Sequence, residues 1–212
     1  MDNHSKVFDT PKGLPPIHDH DHAINLIPGS VPPNIRPYRY PYFQKSEIER
    51  MIAEMLEIGI IQPSKSYFSN LVVLVHKKDG SWCMCSNYRE LNKLTNKDKF
   101  PIPMVYELLD ELHGEIYFTK LDLHSGYHQI RVKTEDISKR EFLTHEHHYE
   151  FLVMPFGLTN APSTFQGLIN SIFKPFLRKF VLVFFDDIII NIRSWKDHVQ
   201  HVDRVLKLLE EK

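Results

Sequence analysis

The sequence predicts an α+β fold in which antiparallel hairpins pack against helices. Two apolar stretches flank the pair Asp186-Asp187 and predict a hairpin, whereas the stretches before Gly59 and after Ser194 carry apolar residues at helical spacing. With 42% hydrophobic residues in 212, the chain can bury the core of one large domain or of two closely packed subdomains. The net charge of −1 neither favours nor excludes a nucleic-acid partner, because charges of one sign can gather locally.

The N-terminal part of the chain is predicted to be extended up to residue 45, because prolines recur along it. A capping box that opens at Ser46 then predicts a helix ending at Gly59. The strand-like runs Leu71 to His76 and Trp82 to Ser86 enclose a short basic segment, which predicts a hairpin with a basic tip.

The rest of the chain alternates between predicted strands and helices. The strand that follows Gly114 ends at Asp122, so this carboxylate lies at the edge of a sheet. The predicted elements after the basic hairpin are a helix at about 103–113, strands at 116–121, 129–132 and 149–153, a helix at 161–176, a hairpin at 180–190 and a helix at 194–209.

Three aspartates give the strongest chemical signal. Asp186 and Asp187 lie at the turn of an otherwise apolar hairpin, where ionised carboxylates are costly unless a cation compensates them. For the dipeptide alone, a solvated turn is the simpler interpretation. Asp122 adds a third carboxylate, and we expect the three to converge. Oxygen donors of this kind suit a pair of Mg²⁺ ions, or Mn²⁺ in their place, rather than zinc.

Cysteine usage and hydropathy indicate the class of protein. Cys83 and Cys85 have C-x-C spacing within a predicted strand, which we take as unfavourable for a disulfide between them and as compatible with a reducing, intracellular setting. The first residues lack the pattern of a signal peptide, and no apolar stretch is long enough to span a bilayer. We therefore expect a soluble protein without a membrane partner.

Four motifs, in order along the chain, resemble those of gypsy-type retrotransposon reverse transcriptases. They are K-L-D-L-H-S-G-Y-H-Q-I at 120–130, M-P-F-G-L-T-N-A-P at 154–162, T-F-Q at 164–166 and F-F-D-D at 184–187. The similarity extends from Leu14 almost to the end of the chain. It implies activity as an RNA-directed DNA polymerase that transfers nucleotides with two metal ions.

The resemblance also implies an architecture of fingers and palm, preceded by an arm at 1–45. The fingers would comprise about 46–115 and 133–155, and the palm about 116–132 and 156–212. The thumb, connection and RNase H regions are expected to be absent, and protease, RNase H and integrase would be other domains of a full-length Pol polyprotein. The implied partners are an RNA or DNA template with its primer, and deoxynucleoside triphosphates.

Individual residues take roles from the same resemblance. Asp122, Asp186 and Asp187 would be the catalytic, metal-binding triad, and Tyr127 would be the steric gate against a 2′-hydroxyl. On the residues alone, a core tyrosine and a solvated lysine turn are the simpler interpretations of Tyr127 and of the basic tip. The nucleotide would contact Lys77, Lys78, Leu123, Tyr127, Phe156 and Gly157, and the template or primer would contact Arg89, Gln166 and Phe184.

Several positions depart from the family pattern. Cys83 stands where relatives have an arginine that would bind the triphosphate, and Arg140 and Glu141 stand where relatives have threonine and alanine. We therefore hypothesise a degenerate copy that retains its three aspartates. The alternatives are a remnant that binds nucleic acid or protein without turnover, and a metal-dependent nuclease, which would leave Tyr127 and the basic hairpin unexplained.

Overall fold

Helices and mainly antiparallel strands alternate along the chain in a computed structural model, which describes residues 2–9, 13–33, 35, 39–78, 80–101, 104–123 and 125–211. The predicted α+β class is confirmed. Arg36 and Pro37 of the arm, Asp79 of the basic tip and His124 of the first motif lie outside the described residues. Within the described ranges, no helix is both long and apolar enough to cross a membrane.

The regular elements have the following bounds. The α-helices are α1 (Tyr42–Ile58), α2 (Arg89–Leu94), α3 (Val105–Glu111), α4 (Ala161–Phe173) and α5 (Trp195–Glu211). The strands are β1 (Ile61–Pro63), β2 (Leu71–His76), β3 (Trp82–Asn87), β4 (Tyr117–Asp122), β5 (Glu141–Leu143), β6 (His148–Phe151), β7 (Val181–Phe184) and β8 (Asp187–Ile192). Short 3-10 helices occupy Asp2–Phe8, Gly126–Gln129 and Thr134–Arg140.

The chain divides into two compact units. The first comprises Met1–Pro11, Lys99–Gly126 and Pro162–Lys212, and the second comprises Lys12–Asp98 and Tyr127–Ala161. The predicted fingers and palm have other boundaries, because residues 99–115 belong to the first unit whereas 127–132 and 156–161 belong to the second. The assignment of either unit to fingers or palm therefore stays a prediction.

The second unit is built on a five-stranded sheet in the order β1-β6-β5-β2-β3. The pairings are antiparallel except between β5 and β2, which run parallel and meet at Leu71 and Leu143. Helix α1 packs its buried Ile48 and Ile52 on a core that includes Phe142. This apolar burial stabilises the sheet that carries the basic hairpin.

The first unit is built on a three-stranded antiparallel sheet in the order β4-β8-β7. Helix α5 contacts β4 and β8, and the Nε2 atom of its buried His198 lies 2.8 Å from the Thr119 hydroxyl. The N-terminal 3-10 helix packs on α5, where His4 contacts Asp203 at 2.9 Å and Glu210 at 3.3 Å. The pairing of β8 with both β4 and β7 places the ends of these three strands side by side.

Three sequence predictions about these segments differ from the structure. Helix α1 begins at Tyr42 rather than at Ser46, because the carbonyl of Pro41 accepts the N–H groups of Gln44 and Lys45 and opens the helix one turn earlier. The predicted strand at 129–132 is not a strand, since a 3-10 helix ends at Gln129 and only isolated bridges follow. The arm is also not extended throughout, because Asp2–Phe8 is helical.

Candidate active site

The register between β4 and β8 places two of the three aspartates face to face. Asp122 is the last residue of β4 and lies directly opposite Asp187, the first residue of β8. Cross-strand partners point to the same face of a sheet with Cβ atoms about 5 Å apart. Two carboxylates therefore share one face at one end of the strands, where like charges repel unless a cation compensates them.

Asp186 lies in the tight turn between β7 and β8 and directly precedes Asp187. Phe184 pairs with Asp187, so Phe185 and Asp186 alone form the turn. Phe185 has φ of +51°, a left-handed value that is strained for a bulky side chain. Strained backbone of this kind persists only where the surroundings enforce it, and it is common at functional sites.

The carboxyl group of Asp186 lies in a partly buried environment without a counter-charge. Its Oδ1 atom is buried and has no hydrogen-bond partner within the described part of the chain. Burial is the main cause that raises the pKa of this carboxyl group above its ordinary value, and the charges of Asp122 and Asp187 add to the increase. A positive charge near the Asp186 carboxylate would therefore stabilise it.

Lys120 already supplies such a charge to Asp187. Its Nζ atom lies 2.9 Å from Asp187 Oδ1, and this contact raises the pKa of Lys120. The close spacing expected for three ligands of one ion, with all donor atoms within 4.8 Å of one another, is found at Glu49, His145 and Glu146. It is not found at Asp122, Asp186 and Asp187. Ligands of a pair of ions can lie farther apart than ligands of one ion, so the convergence of the three aspartates on two ions stays a prediction.

The side chain of Gln166 holds the turn in place. Its Oε1 atom accepts the backbone N–H of Phe185 at 3.1 Å, and its Nε2 atom donates to Asn170 Oδ1 at 2.9 Å. The residue is 1% exposed. The side chain therefore holds the turn, and the predicted contact of Gln166 with the template or primer stays a prediction.

Two further residues approach the turn closely. A Cβ atom at Gly126 would lie 2.9 Å from the Phe165 ring and 3.4 Å from Asp186 Oδ1, so no larger residue fits without movement. The backbone N–H of Leu123 donates to the carbonyl of Asp186 at 3.1 Å. Leu123 thus contacts the turn through its backbone, and Phe184 packs its ring edge-on against Phe185 at 4.6 Å.

In the second unit, Tyr127 and Phe156 form an aromatic pair. Their ring centroids are 4.6 Å apart, with Tyr127 9% exposed and Phe156 50% exposed. Gly157 follows with φ of +96°, and its carbonyl accepts the Asn92 side-chain amide at 2.7 Å. The oxygen of the same amide accepts the N–H of Thr159 at 2.9 Å. Asn92, to which sequence reasoning gave no role, thereby fixes the segment that presents Phe156.

The basic tip and the arginine after it are exposed in the same unit. Lys77 and Lys78 lie at the end of the β2–β3 hairpin, where the Lys77 N–H donates to the Ser81 carbonyl at 2.8 Å. Arg89 is exposed at the start of α2. Cys83 lies on β3 opposite Val75, which precedes Lys77 by two residues in the sequence. Both lysine side chains are therefore accessible to a ligand in solution.

Residues 75–212 match the family model for reverse transcriptase (RNA-dependent DNA polymerase). The chain is 41% identical over 195 residues to the retrovirus-related Pol polyprotein from transposon 297 of Drosophila melanogaster, covering 89% of this chain and 18% of that protein. It is 36% identical to the transposon Tf2-3 polyprotein of Schizosaccharomyces pombe, covering 92% of this chain and 15% of that protein. The chain thus spans less than a fifth of the length of these relatives.

Solved structures with the same fold include prototype foamy virus protease-reverse transcriptase. The native enzyme has a TM-score of 0.79 and 27% identity, covering 89% of this chain and 25% of that one. The foamy viral enzyme in complex with an RNA/DNA hybrid has a TM-score of 0.81, covering 99% of this chain and 28% of that one; at 21% identity this match speaks for the fold alone.

Proposed function

Because the chain belongs to the reverse transcriptase family, with the Pol polyproteins of gypsy-type retrotransposons among its relatives, we propose that it catalyses template-directed synthesis of DNA. The reaction would join a deoxynucleoside triphosphate to the 3′-hydroxyl of a primer paired with an RNA or DNA template. The observation that carries this proposal is the buried, unpaired Oδ1 atom of Asp186 beside the carboxylates of Asp122 and Asp187.

The donor set of the three aspartates fits Mg²⁺, with Mn²⁺ as a substitute. Hard divalent cations prefer carboxylate oxygens, and no histidine or thiol is among these three donors. Two such ions, when bound, activate a primer hydroxyl as a nucleophile and stabilise the charge of the leaving pyrophosphate. Asp122, Asp186 and Asp187 would hold them, and the buried Asp186 carboxylate would lose its electrostatic penalty.

Lys120 would change partner when the site is loaded. Its ammonium group neutralises Asp187 at 2.9 Å, and with 60% of its side chain exposed it can swing into solvent. An exposed ion pair of this kind contributes little to stability, so breaking it opposes cation binding only weakly. Asp187 is then available to a metal ion without rearrangement of β4 or β8.

The nucleotide would be bound by the second unit. Lys77 and Lys78 are exposed at a hairpin tip, and ammonium groups of this kind attract the charges of a triphosphate. Tyr127 and Phe156 offer an aromatic pair of which Phe156 is half exposed. We assign the sugar contact to Tyr127 as the steric gate, and the base or sugar contact to Phe156 and Gly157.

The remaining partners follow from the same activity. Arg89 is exposed and would contact the backbone of the template strand, where phosphate contacts supply most of the affinity. Phe184, next to the Phe185-Asp186 turn, would lie near the primer end. In a full-length Pol polyprotein, the protease, RNase H and integrase would act with this chain, and the free Cys83 and Cys85 thiols favour an intracellular setting.

Primer extension on an oligo(dT)-primed poly(rA) template tests the proposal. The chain is compared, first with Mg²⁺ and then with Mn²⁺, to Asp186→Asn and to the exposed control Asp197→Asn on α5. Extension by the unchanged chain and by Asp197→Asn, but not by Asp186→Asn, is the expected result. Extension that survives in Asp186→Asn would remove the aspartates from the reaction.

The second candidate function is binding of nucleic acid without catalysis. Two residues of the second unit favour it. Cys83 occupies the position of an expected arginine, and Glu141 has a buried Oε2 atom without a hydrogen-bond partner among the described residues. A chain that shifts a labelled primer-template on a native gel yet extends no primer, even with Mn²⁺, would establish this candidate over the polymerase.

A further inference from the structure

Two thiols lie side by side on the edge strand of the five-stranded sheet. Cys83 and Cys85 are the two cysteines of the sequence, both are free, and both are half-buried on β3. Residues two apart on a strand project from the same face, so the two thiols are neighbours on one side of β3. Their Sγ atoms are 3.8 Å apart.

The geometry of the strand opposes a disulfide between these thiols. A disulfide needs sulfur atoms about 2.05 Å apart, and its Cα atoms are about 6.8 Å apart at most. Residues two apart on an extended strand are about 6.6 Å apart, which is near that limit. The ladder between β2 and β3 pairs Cys83 with Val75 and Cys85 with Val73, so it keeps the segment extended. The thiols are therefore close without being placed to oxidise.

The same separation suits two ligands of one tetrahedral metal ion. Zinc–sulfur bonds of about 2.3 Å at a tetrahedral angle place two sulfur atoms about 3.8 Å apart. The Sγ atoms of Cys83 and Cys85 already have that separation, 3.8 Å. Binding would thus need the loss of two protons and little movement of the side chains.

We propose that Cys83 and Cys85 form a two-thiolate site for a thiophilic divalent cation of the Zn²⁺ or Cd²⁺ class. Binding replaces two S–H bonds by two metal–sulfur bonds and releases two protons, with no change in oxidation state. Val73 and Val75, which pair with the cysteines on β2, are both exposed, so this face of the hairpin is open to solvent. Water or an anion completes the coordination.

Another cluster in the second unit could compete for a cation. Glu49, His145 and Glu146 place one donor atom each within 4.8 Å of one another. However, His145 Nδ1 is buried without a hydrogen-bond partner among the described residues, whereas a metal-binding histidine usually donates its second ring N–H. This cluster also contains no sulfur, so a signal from thiolate ligands distinguishes the two sites.

Titration of the reduced chain with Cd²⁺ tests the proposal. The readouts are ultraviolet sulfur-to-cadmium charge-transfer absorption and the protons released. We expect the sulfur-to-cadmium absorption to saturate at one thiolate-bound ion per chain, with release of two protons from the thiols. Cys83→Ser and Cys85→Ser should each weaken binding at least about tenfold, since loss of a ligand exceeds the effect of loss of an outer-sphere partner. The controls His145→Gln and His76→Gln, the latter on the neighbouring strand, should leave the absorption unchanged.

Alkylation of the unchanged chain provides a second measurement that needs no variant to fold. Cd²⁺ should protect both thiols from iodoacetamide together, because one ion binds both. Protection of a single thiol, or of neither, would overturn the proposal. So would charge-transfer absorption that persists in both serine variants, or binding that His145→Gln abolishes.

Discussion

The side-chain oxygen of Gln166 accepts the backbone N–H of Phe185 at 3.1 Å and thereby fixes the residue that precedes Asp186. Phe185 adopts a left-handed backbone conformation, φ +51°, which this hydrogen bond helps to maintain. Helix α4, which carries Gln166, is thus coupled to the turn between β7 and β8. Gln166 acts as a positioning residue for the carboxylate of Asp186.

Replacement of Gln166 by leucine should misplace the turn. The N–H of Phe185 loses its acceptor, and because this hydrogen bond is part-buried the loss costs about 1 kcal/mol, the lower end of the range for an unsatisfied donor. We expect Gln166→Leu to lower stability by that amount in urea unfolding and to reduce primer extension further than stability alone explains. Asn170→Ala is the matched control, because it removes the partner of Gln166 Nε2 and leaves the bond to Phe185. Equal extension by both variants would argue against the positioning role.

Gly126 should not tolerate a side chain. The Cβ atom of Gly126→Ala would lie 2.9 Å from the Phe165 ring and 3.4 Å from Asp186 Oδ1. Overpacking of this kind costs about 1–3 kcal/mol. Unfolding in urea should show this loss, and adding Phe165→Leu should recover part of it, because the two positions are in contact. Strictly additive losses in the double variant would contradict the contact.

The buried Glu141 should make stability depend on pH. Burial raises the pKa of its carboxyl group from 4.5 to about 7, although a hydrogen bond from His148 lowers it. Between these two values the folded chain holds a proton that the unfolded chain releases, so stability should fall as pH rises from 4.5 to about 7 and then level off. Urea midpoints across this window measure the effect.

Glu141→Gln removes the titrating group, so its urea midpoint should vary less across the same pH window. Glu57→Gln, an exposed change on α1, is the control and should keep the slope of the unchanged chain. A slope that is equal in all three proteins would assign the pH dependence to other groups.

Replacement of Cys83 by arginine, the residue that the family resemblance predicts at this position, should raise nucleotide use. A charge-assisted hydrogen bond contributes about 1.5–3 kcal/mol, so Cys83→Arg should lower the KM for the deoxynucleoside triphosphate by about tenfold to about 150-fold. Cys85→Arg, two residues along the same strand, is the matched control and should gain less. No gain from Cys83→Arg in steady-state incorporation would remove the main support for a degenerate copy.

Much of the first unit could be predicted from the sequence, because its signals are local. The apolar runs around Asp186-Asp187 have the length and composition of strands, and α4 and α5 have helical spacing. The ion pair between Lys120 and Asp187 could not be predicted, since it depends on the register between β4 and β8. Register is set by tertiary packing, which spacing along one strand does not contain.

The second unit contains more that the sequence could not predict. Strands β1 and β5 have three residues each, too few for a period to be recognised. The segment 129–132 alternates like a strand, yet the buried Ile130 and Val132 are held by single bridges and loop contacts rather than by a ladder. Burial of alternate residues is therefore shared by strands and by irregular segments that cross a core.

Binding of Mn²⁺ tests most directly whether Asp122, Asp186 and Asp187 form a cation site. Free Mn²⁺ is measured by electron paramagnetic resonance in the His145→Gln background, so that the cluster with Glu49 does not bind the ion. Asp186→Asn should weaken Mn²⁺ binding at least about tenfold. The urea midpoint of this variant should be unchanged or higher, because a partly buried charge is lost. Equal affinity for Mn²⁺ with and without the Asp186 carboxylate would show that the three aspartates do not form this cation site.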